Sequence, residues 1–280
     1  MFVVGLAASL PVVAVVAIIF TVLSVLPSCN AGRPWWRKPD LATDIGYLVV
    51  MPGLMYYARI ALLMVGMLVL YGVTSQDAAW ALLEHGCGPL SALPFAAQVA
   101  IYLVASEIWL YATHRWLHDL RLWRFHAVHH SSEHLEWLGS FRVHPVDFML
   151  HFLMGDSLLL LLGISPGVLV WLVPFSIGMS TLTHANLNWD FGPFRTVLAS
   201  PVFHRWHHTG VDRGGERNFA STFPIIDVIF GTYYMPKGEL PSDYGVTERD
   251  VPYDFGGQLM HPFRAQASSP AAIPAHDTGD

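Results

Sequence analysis

Residues 148–182 read FMLHFLMGDSLLLLLGISPGVLVWLVPFSIGMSTL, and this stretch decides the fold. It is far longer than the about 20 apolar residues that one helix needs to cross a hydrocarbon core of about 30 Å. Near its middle, Gly163-Ile-Ser-Pro166-Gly167 gathers the residue types that break helices and make turns. The pattern therefore predicts two spanning helices joined by a tight hairpin, an arrangement suited to a bilayer and not to a soluble core.

The rest of the chain agrees. Of 280 residues, 53% are hydrophobic and only 13% are charged, with a mean hydropathy of +0.43, values outside the range of ordinary soluble domains. Residues 2–26 carry no charge. They lack the basic start of a secretory signal and exceed its apolar run of about 7 to 15 residues, so a retained span is expected. Residues 45–73 are apolar but interrupted by Pro52-Gly53 and by Arg59. They read either as one long broken helix or as an interfacial piece followed by a span. Residues 93–113 form a further apolar segment that contains Glu107. The expected fold is all-α: a multi-pass transmembrane helical bundle of about four spans, one of them the hairpin, with a cytoplasmic helical cap carrying a His-rich dimetal site. Three regions follow: N-terminal helices and loops over 1–92, a catalytic region over 93–240, and a C-terminal segment over 241–280. Residues 265–280, rich in Ala, Ser and Pro, are expected to be a disordered tail.

Charge distribution supplies orientation and exclusions. Arg33, Arg37 and Lys38 follow the first apolar segment, the loop over 74–92 has no Lys or Arg, and apart from Arg59 the remainder lie beyond Thr113. Because Lys and Arg concentrate in cytoplasmic loops, the N-terminus is expected outside and the histidine motifs in the cytoplasm, in a bacterial inner membrane. The 15 Lys and Arg form no basic stripe and the net charge is −6, so nucleic acid is excluded as a partner. Cys29 and Cys87 make no metal motif and are expected on opposite faces, unpaired.

Histidine placement carries the chemistry. HAVHH at 126–130 and HRWHH at 204–208 repeat one spacing, with HRWLH at 114–118 just upstream. Random placement of the 15 histidines would give about 0.04 copies of HxxHH, so chance does not explain two. On a helix, residues at i, i+3 and i+4 share a side. His114 and His118 thus project together, as do His126, His129 and His130, and His204, His207 and His208. His184 lies where the hairpin returns to the same surface. Nine imidazoles exceed the six ligands of one octahedral ion, which implies two ions among Fe, Cu, Ni or Zn. Glu107, Tyr111, His114 and His118 fall on one helical stripe, so Glu107 or Tyr111 is expected to hold the ring of His114. His144, in Arg142-Val-His144-Pro145-Val-Asp147, is a candidate tenth ligand or supporting group, and His134 and His151 are near enough in sequence to touch the site. Trp109, Trp116, Trp123, Trp137, Trp189 and Trp206 are expected as interfacial anchors or tunnel lining. No GxSxG, Walker-type loop, GxGxxG or HExxH occurs.

The succession HRWLH, HAVHH, RVHPVD, THANLN and HRWHH, closed by Asn218-Phe-Ala and Asp227-Val-Ile-Phe230-Gly231-Thr232, resembles the fatty acid hydroxylase and sterol desaturase superfamily of integral-membrane di-iron oxygenases. The resemblance covers about 106–233. It implies two Fe ions on the nine histidines, with Zn a possible substitute, and O2 as co-substrate. It also implies a lipid or other apolar substrate entering from the bilayer and an external electron donor such as a ferredoxin, cytochrome or reductase. The reaction would be hydroxylation or desaturation of a C–H bond in a fatty acyl, sterol or related molecule. Asn188 and Asp227 join His144, Glu107 and Tyr111 as supporting groups. The departure is Glu107, where the superfamily more usually has Asp. Two readings compete: a metal transporter or sensor that binds ions transiently through the same imidazoles, and a zinc-dependent hydrolase.

Overall fold

The computed structural model describes residues 2–32, 34–119, 121–210, 213–246 and 251–264, without the side chains of 2–10 and 12. Arg33, used above for orientation, His276 and the proposed tail lie outside the described residues. The elements are α1 (Phe2–Leu23), α2 (Leu41–Tyr71), α3 (Gln76–His85), α4 (Phe95–Leu117), α5 (Trp123–His130), α6 (Pro145–Leu162), α7 (Leu169–His184), α8 (Pro201–His207), α9 (Ile225–Phe230) and α10 (Phe255–Met260). Among the described residues there is no strand, only an isolated bridge between Thr209 and Tyr244. Four helical segments, α2, α4, α6 and Pro166–His184, are long and apolar enough to cross a membrane. The protein is an all-α, multi-pass bundle.

The interrupted region 45–73 resolves into one continuous helix: Pro52 sits inside α2 without ending it. A proline removes one backbone donor and crowds the preceding turn, yet 31 residues of apolar helix absorb that loss. Met64, Val65, Leu68 and Val69 of α2 are more than half exposed, a face with no protein partner that suits contact with lipid. The hairpin forms where its glycines predict. Gly163 ends α6 in the left-handed region at φ 69°, and Ser165 caps the short Pro166–Val168 turn before α7 by accepting from Gly167 N at 3.1 Å. A π turn at Met149–Leu153 interrupts α6.

Polar bonds inside the apolar bundle fix how the helices align. Arg59 of α2 pairs with Asp156 of α6 at 2.6 Å, and Tyr102 of α4 donates to the other carboxylate oxygen at 2.9 Å. A charge among apolar helices requires such a partner. Cys87 N donates to Gly163 O at 3.1 Å and Ser165 Oγ to Leu83 O at 2.8 Å, tying the hairpin to the α3 region. Histidines at the ends of α4 and α7 meet those of α5 and α8 at the opposite end of the bundle. Cys29 is there, buried, while Cys87 is exposed beside the hairpin, and neither is paired. At the same end Trp137 lies between Phe20, stacked at 5.2 Å, and Trp35, edge-on at 5.3 Å, which attaches α1 to the cap.

A side chain on Gly163 would place its Cβ 2.4 Å from Gly88 Cα, whereas at Gly178 nothing lies within 4 Å. Gly163→Val should cost on the order of 2–4 kcal/mol through left-handed strain and overpacking, and Gly178→Ala should be neutral or slightly stabilising. Thermal unfolding in detergent, followed by circular dichroism, separates the two; equal midpoints would contradict this account of the hairpin.

Candidate metal centre

The short helices α5 and α8 exist to present histidines. Ser200 caps α8 by accepting from Phe203 N at 3.1 Å, with Pro201 in the first turn. In HxxHH the first and last imidazoles lie roughly 40° apart around the axis, and the middle one roughly 60° the other way. Each box is therefore split between two groups. One group holds His114, His118, His126, His130 and His207; the other holds His129, His184, His204 and His208. Within each, one nitrogen per ring lies within 4.8 Å of all the others. Helix α5 gives two rings to the first group and one to the second, and α8 with its C-cap His208 does the reverse. The groups abut, with the His130 and His208 rings 4.4 Å apart.

All nine sequence-selected histidines are thus together, and each is held by burial. Loss of water, followed by the proximity of other imidazoles, pushes His126, His130, His204, His207 and His208 well below the usual histidine range, and burial brings His129 to about 4. At neutral pH these rings are uncharged, the form that offers a lone pair.

Acceptors around the rim fix which nitrogen offers it. Nδ1 of His114 donates to Phe219 O at 2.7 Å, of His129 to Arg142 O at 3.0 Å, of His184 to Ser180 O at 2.7 Å, and of His207 to Arg217 O at 2.7 Å. His126 Nδ1 meets Asp147 Oδ2 at 2.7 Å. A carbonyl only accepts, so a neutral ring bonded this way keeps its lone pair on Nε2. His129 and His184 consequently aim two lone pairs at each other across 3.2 Å. In the first group, Nε2 of His114 and His126 are 3.0 Å apart. Nε2 of His118, His130 and His207 is buried with no hydrogen-bond partner. Nitrogens bound at about 2.1 Å to a common ion lie about 3.0–3.4 Å apart. The donor set and its orphaned atoms fit one cation in each group.

Several expectations are corrected here. Neither Glu107 nor Tyr111 touches His114: seven residues of helix separate Glu107 from it by about 10 Å, and both side chains reach sideways. Glu107 accepts from Thr222 N at 2.9 Å and from Thr222 Oγ1 at 2.6 Å, and Tyr111 bonds Thr232 Oγ1 at 2.9 Å. Asp227 likewise accepts from Phe219 N at 2.8 Å and Ala220 N at 2.9 Å. These three side chains hold the 219–232 loop, which supplies the carbonyl for His114. His144 lies outside both groups. Its Nδ1 caps α6 by accepting from Val146 N at 3.1 Å, and its Nε2 is bonded to Leu259 O at 3.1 Å. Asn188 is exposed; beyond His184 the chain turns extended at Ala185 and carries it away. His134 is exposed, and His151 is buried with its ring 5.4 Å from that of His114. Among the tryptophans, Trp123 packs against His118 and His130.

Two features were missed from sequence. Asp147 was visible in RVHPVD, where an acid one residue after Pro-Val begins a helix facing α5. The other is an ionic network beneath His129. Arg142, fully buried, donates from Nε to Asp44 Oδ1 at 2.9 Å and from Nη2 to Asp40 Oδ2 at 2.8 Å, while Lys38 Nζ meets Asp44 Oδ2 at 2.5 Å. This network anchors the carbonyl that orients His129. A cleft of about 430 Å³, lined by Trp116, His118, Asp119, Glu216 and Phe219, reaches the first group at His118.

Residues 99–232, which include all nine histidines, match the family model for fatty acid hydroxylase. That stretch, somewhat under half of the chain, is similar to the fatty acid hydroxylase family. Curated relatives are similar over part of the chain: the ornithine lipid hydroxylase OlsE of Rhizobium tropici at 36% identity, over 61% of this chain and 51% of that protein, and the alkylglycerol monooxygenase of Danio rerio at 32%, over 49% and 30%. The sphingolipid C4-hydroxylase sur2 of Schizosaccharomyces pombe is 26% identical over 54% of this chain and 57% of its own length. The chain thus matches about half or less of the length of each of these three relatives. No solved structure matches it.

Removing the guanidinium leaves Asp40 and Asp44 buried with only Lys38 to neutralise them. Arg142→Gln should therefore lower the unfolding free energy by roughly 3 kcal/mol, with Arg142→Lys intermediate because it keeps charge without the fork. Chemical denaturation in detergent reads both, and a Gln variant as stable as the parent would count against the network.

Proposed function

We propose that the protein is a membrane-bound lipid hydroxylase in which the two histidine groups hold two iron ions, the first through His114, His118, His126, His130 and His207 and the second through His129, His184, His204 and His208. The observation that carries this reading is the pair of opposed Nε2 lone pairs on His129 and His184, each locked by a backbone carbonyl. Only a cation between them relieves that contact. A pair of redox-active ions would supply activation of O2 and removal of hydrogen from an unactivated C–H bond.

The chain's own residues do the rest. Burial keeps rings such as His126, His129 and His207 neutral, and the rim acceptors keep them aimed. Asp147, bonded to His126 Nδ1, turns the Nε2 of that ring toward the first group. Glu107, Tyr111 and Asp227 clamp the 219–232 loop over the same group. The nine rings are buried, and the cleft that reaches His118 is the approach for a long apolar substrate. The shared theme among the relatives' names is hydroxylation of membrane lipids, which favours hydroxylation over desaturation here. Electrons come from an external protein donor, since the sequence has no flavin, haem or nicotinamide motif. The N-terminus is outside and the histidine groups face the cytoplasm of a bacterial cell. Transport is not favoured: the acids Glu107, Asp147 and Asp156 in the spanning helices are each bonded within the protein.

Purified protein loaded with iron and supplied with a reductant should add one oxygen to a component of lipid extract from a strain lacking the gene, read as a mass increase. His118→Ala, His129→Ala and His207→Ala should each abolish that product, and Asp147→Ala should weaken metal binding about 10–100-fold. Full activity in the histidine variants, or turnover without O2, would reject the reading.

A further inference from the structure

A second cavity, of about 190 Å³, opens at the same end of the bundle as the histidine groups. Its walls include Phe20 at the end of α1, Trp35 and Trp36 on the following turn, Glu136 and Trp137 before the HPVD segment, and Asn186, two residues beyond His184. Trp35 and Trp36 meet edge-on at 5.6 Å, Trp35 and Trp137 edge-on at 5.3 Å, and Phe20 stacks on Trp137 at 5.2 Å. Trp137 is buried beneath Phe20 and against Trp35, so Trp35 and Trp36 are the aromatic side chains left to a cavity occupant, and aromatic rings attract alkylammonium ions.

A carboxylate completes it. Glu136 is half-buried, receives a hydrogen bond from Asn186, and makes no ion pair among the described residues. The described cations whose charge reaches Glu136 are bonded elsewhere: Lys38 to Asp44, and Arg205 to Leu135 O at 2.8 Å, His184 O at 2.9 Å and Asn30 Oδ1 at 2.7 Å. Burial pushes the Glu136 carboxyl above its ordinary range, a cost that an adjacent positive charge removes. An acid beside two tryptophans suits a monocation.

We infer that this cavity binds the alkylammonium head group of a lipid, held by Glu136 and the rings of Trp35 and Trp36. It rests on the lipid hydroxylase reading only in taking the occupant as the polar end of the substrate. The head group would sit against the segment that leaves His184, so its position would set which part of the lipid approaches the second histidine group. This gives the substrate a chemical class: an amphiphile carrying an amine or quaternary ammonium near the membrane surface.

Equilibrium binding of radiolabelled decyltrimethylammonium to the full-length protein in uncharged detergent tests this. The comparison ligand is the isosteric hydrocarbon in which carbon replaces the charged nitrogen. The parent protein should prefer the cation at least tenfold, and Glu136→Gln and Trp36→Ala should each weaken the cation about tenfold while leaving the carbon analogue unchanged. Trp36 is 42% exposed, so its truncation does not threaten the fold. Competition by tetramethylammonium alone at equal affinity would assign the cavity to a free ammonium ion, whereas a gain from the chain assigns it to a lipid head. Equal binding of cation and carbon analogue, or parent-like cation binding in both variants, would overturn the inference. The assay needs neither metal nor turnover, so a failure of lipid hydroxylation would leave its result standing.

Discussion

Everything in this protein depends on keeping nine imidazoles buried and pointed at one another. Each would lose less free energy in water or as a hydrogen-bond partner of water. The fold prevents both by burying the rings at the junction of four long helices and by giving five of them a fixed Nδ1 partner. Lone pairs then have nowhere to go except toward neighbouring lone pairs. That is an unstable arrangement on its own and a stable one around two cations, so metal binding and folding of the cap are coupled.

The rest of the structure reads as support for that constraint. Helix ends set the positions of His118, His184 and His208, since each ring lies where a helix stops and its backbone can turn. The two HxxHH boxes serve both groups with reversed roles, which gives the centre an approximate two-fold character although the flanking sequences are unrelated. Segments remote in the chain close around it. Lys38, Asp40 and Asp44 enter from the start of α2 to hold Arg142. Arg205, inside the third box, reaches back to Asn30 and to the carbonyl of His184 and lies 4.6 Å from the Tyr244 ring. The centre is therefore not the property of the histidine-rich region alone.

Much of this was legible in the sequence, for identifiable reasons. Helical periodicity and the two fixed spacings selected all nine clustered histidines, because i, i+3 and i+4 geometry is local. The hairpin at Gly163 and the absence of strands followed from turn chemistry and apolar length. What stayed hidden was long-range. The acceptors for His114, His129 and His207 are main-chain carbonyls of Phe219, Arg142 and Arg217, and a carbonyl has no sequence signature. Glu107 and Tyr111 bond Thr222 and Thr232 and not His114, since a helical stripe says which side chains share a face and not which loop they meet. His144 and Asn188 carried the right residue types at plausible positions; a cap requirement at α6 and an extended turn after α7 took them elsewhere. Pro52 suggested a break that the apolar surroundings of α2 overrode.

The most direct test of the account is metal analysis combined with X-ray absorption at the metal edge on protein purified without chelators. It predicts two ions per chain, whichever transition metal is loaded, in shells dominated by imidazole nitrogen at about 2.1 Å. A single ion per chain, no tightly held ion, or a shell dominated by sulfur would contradict it.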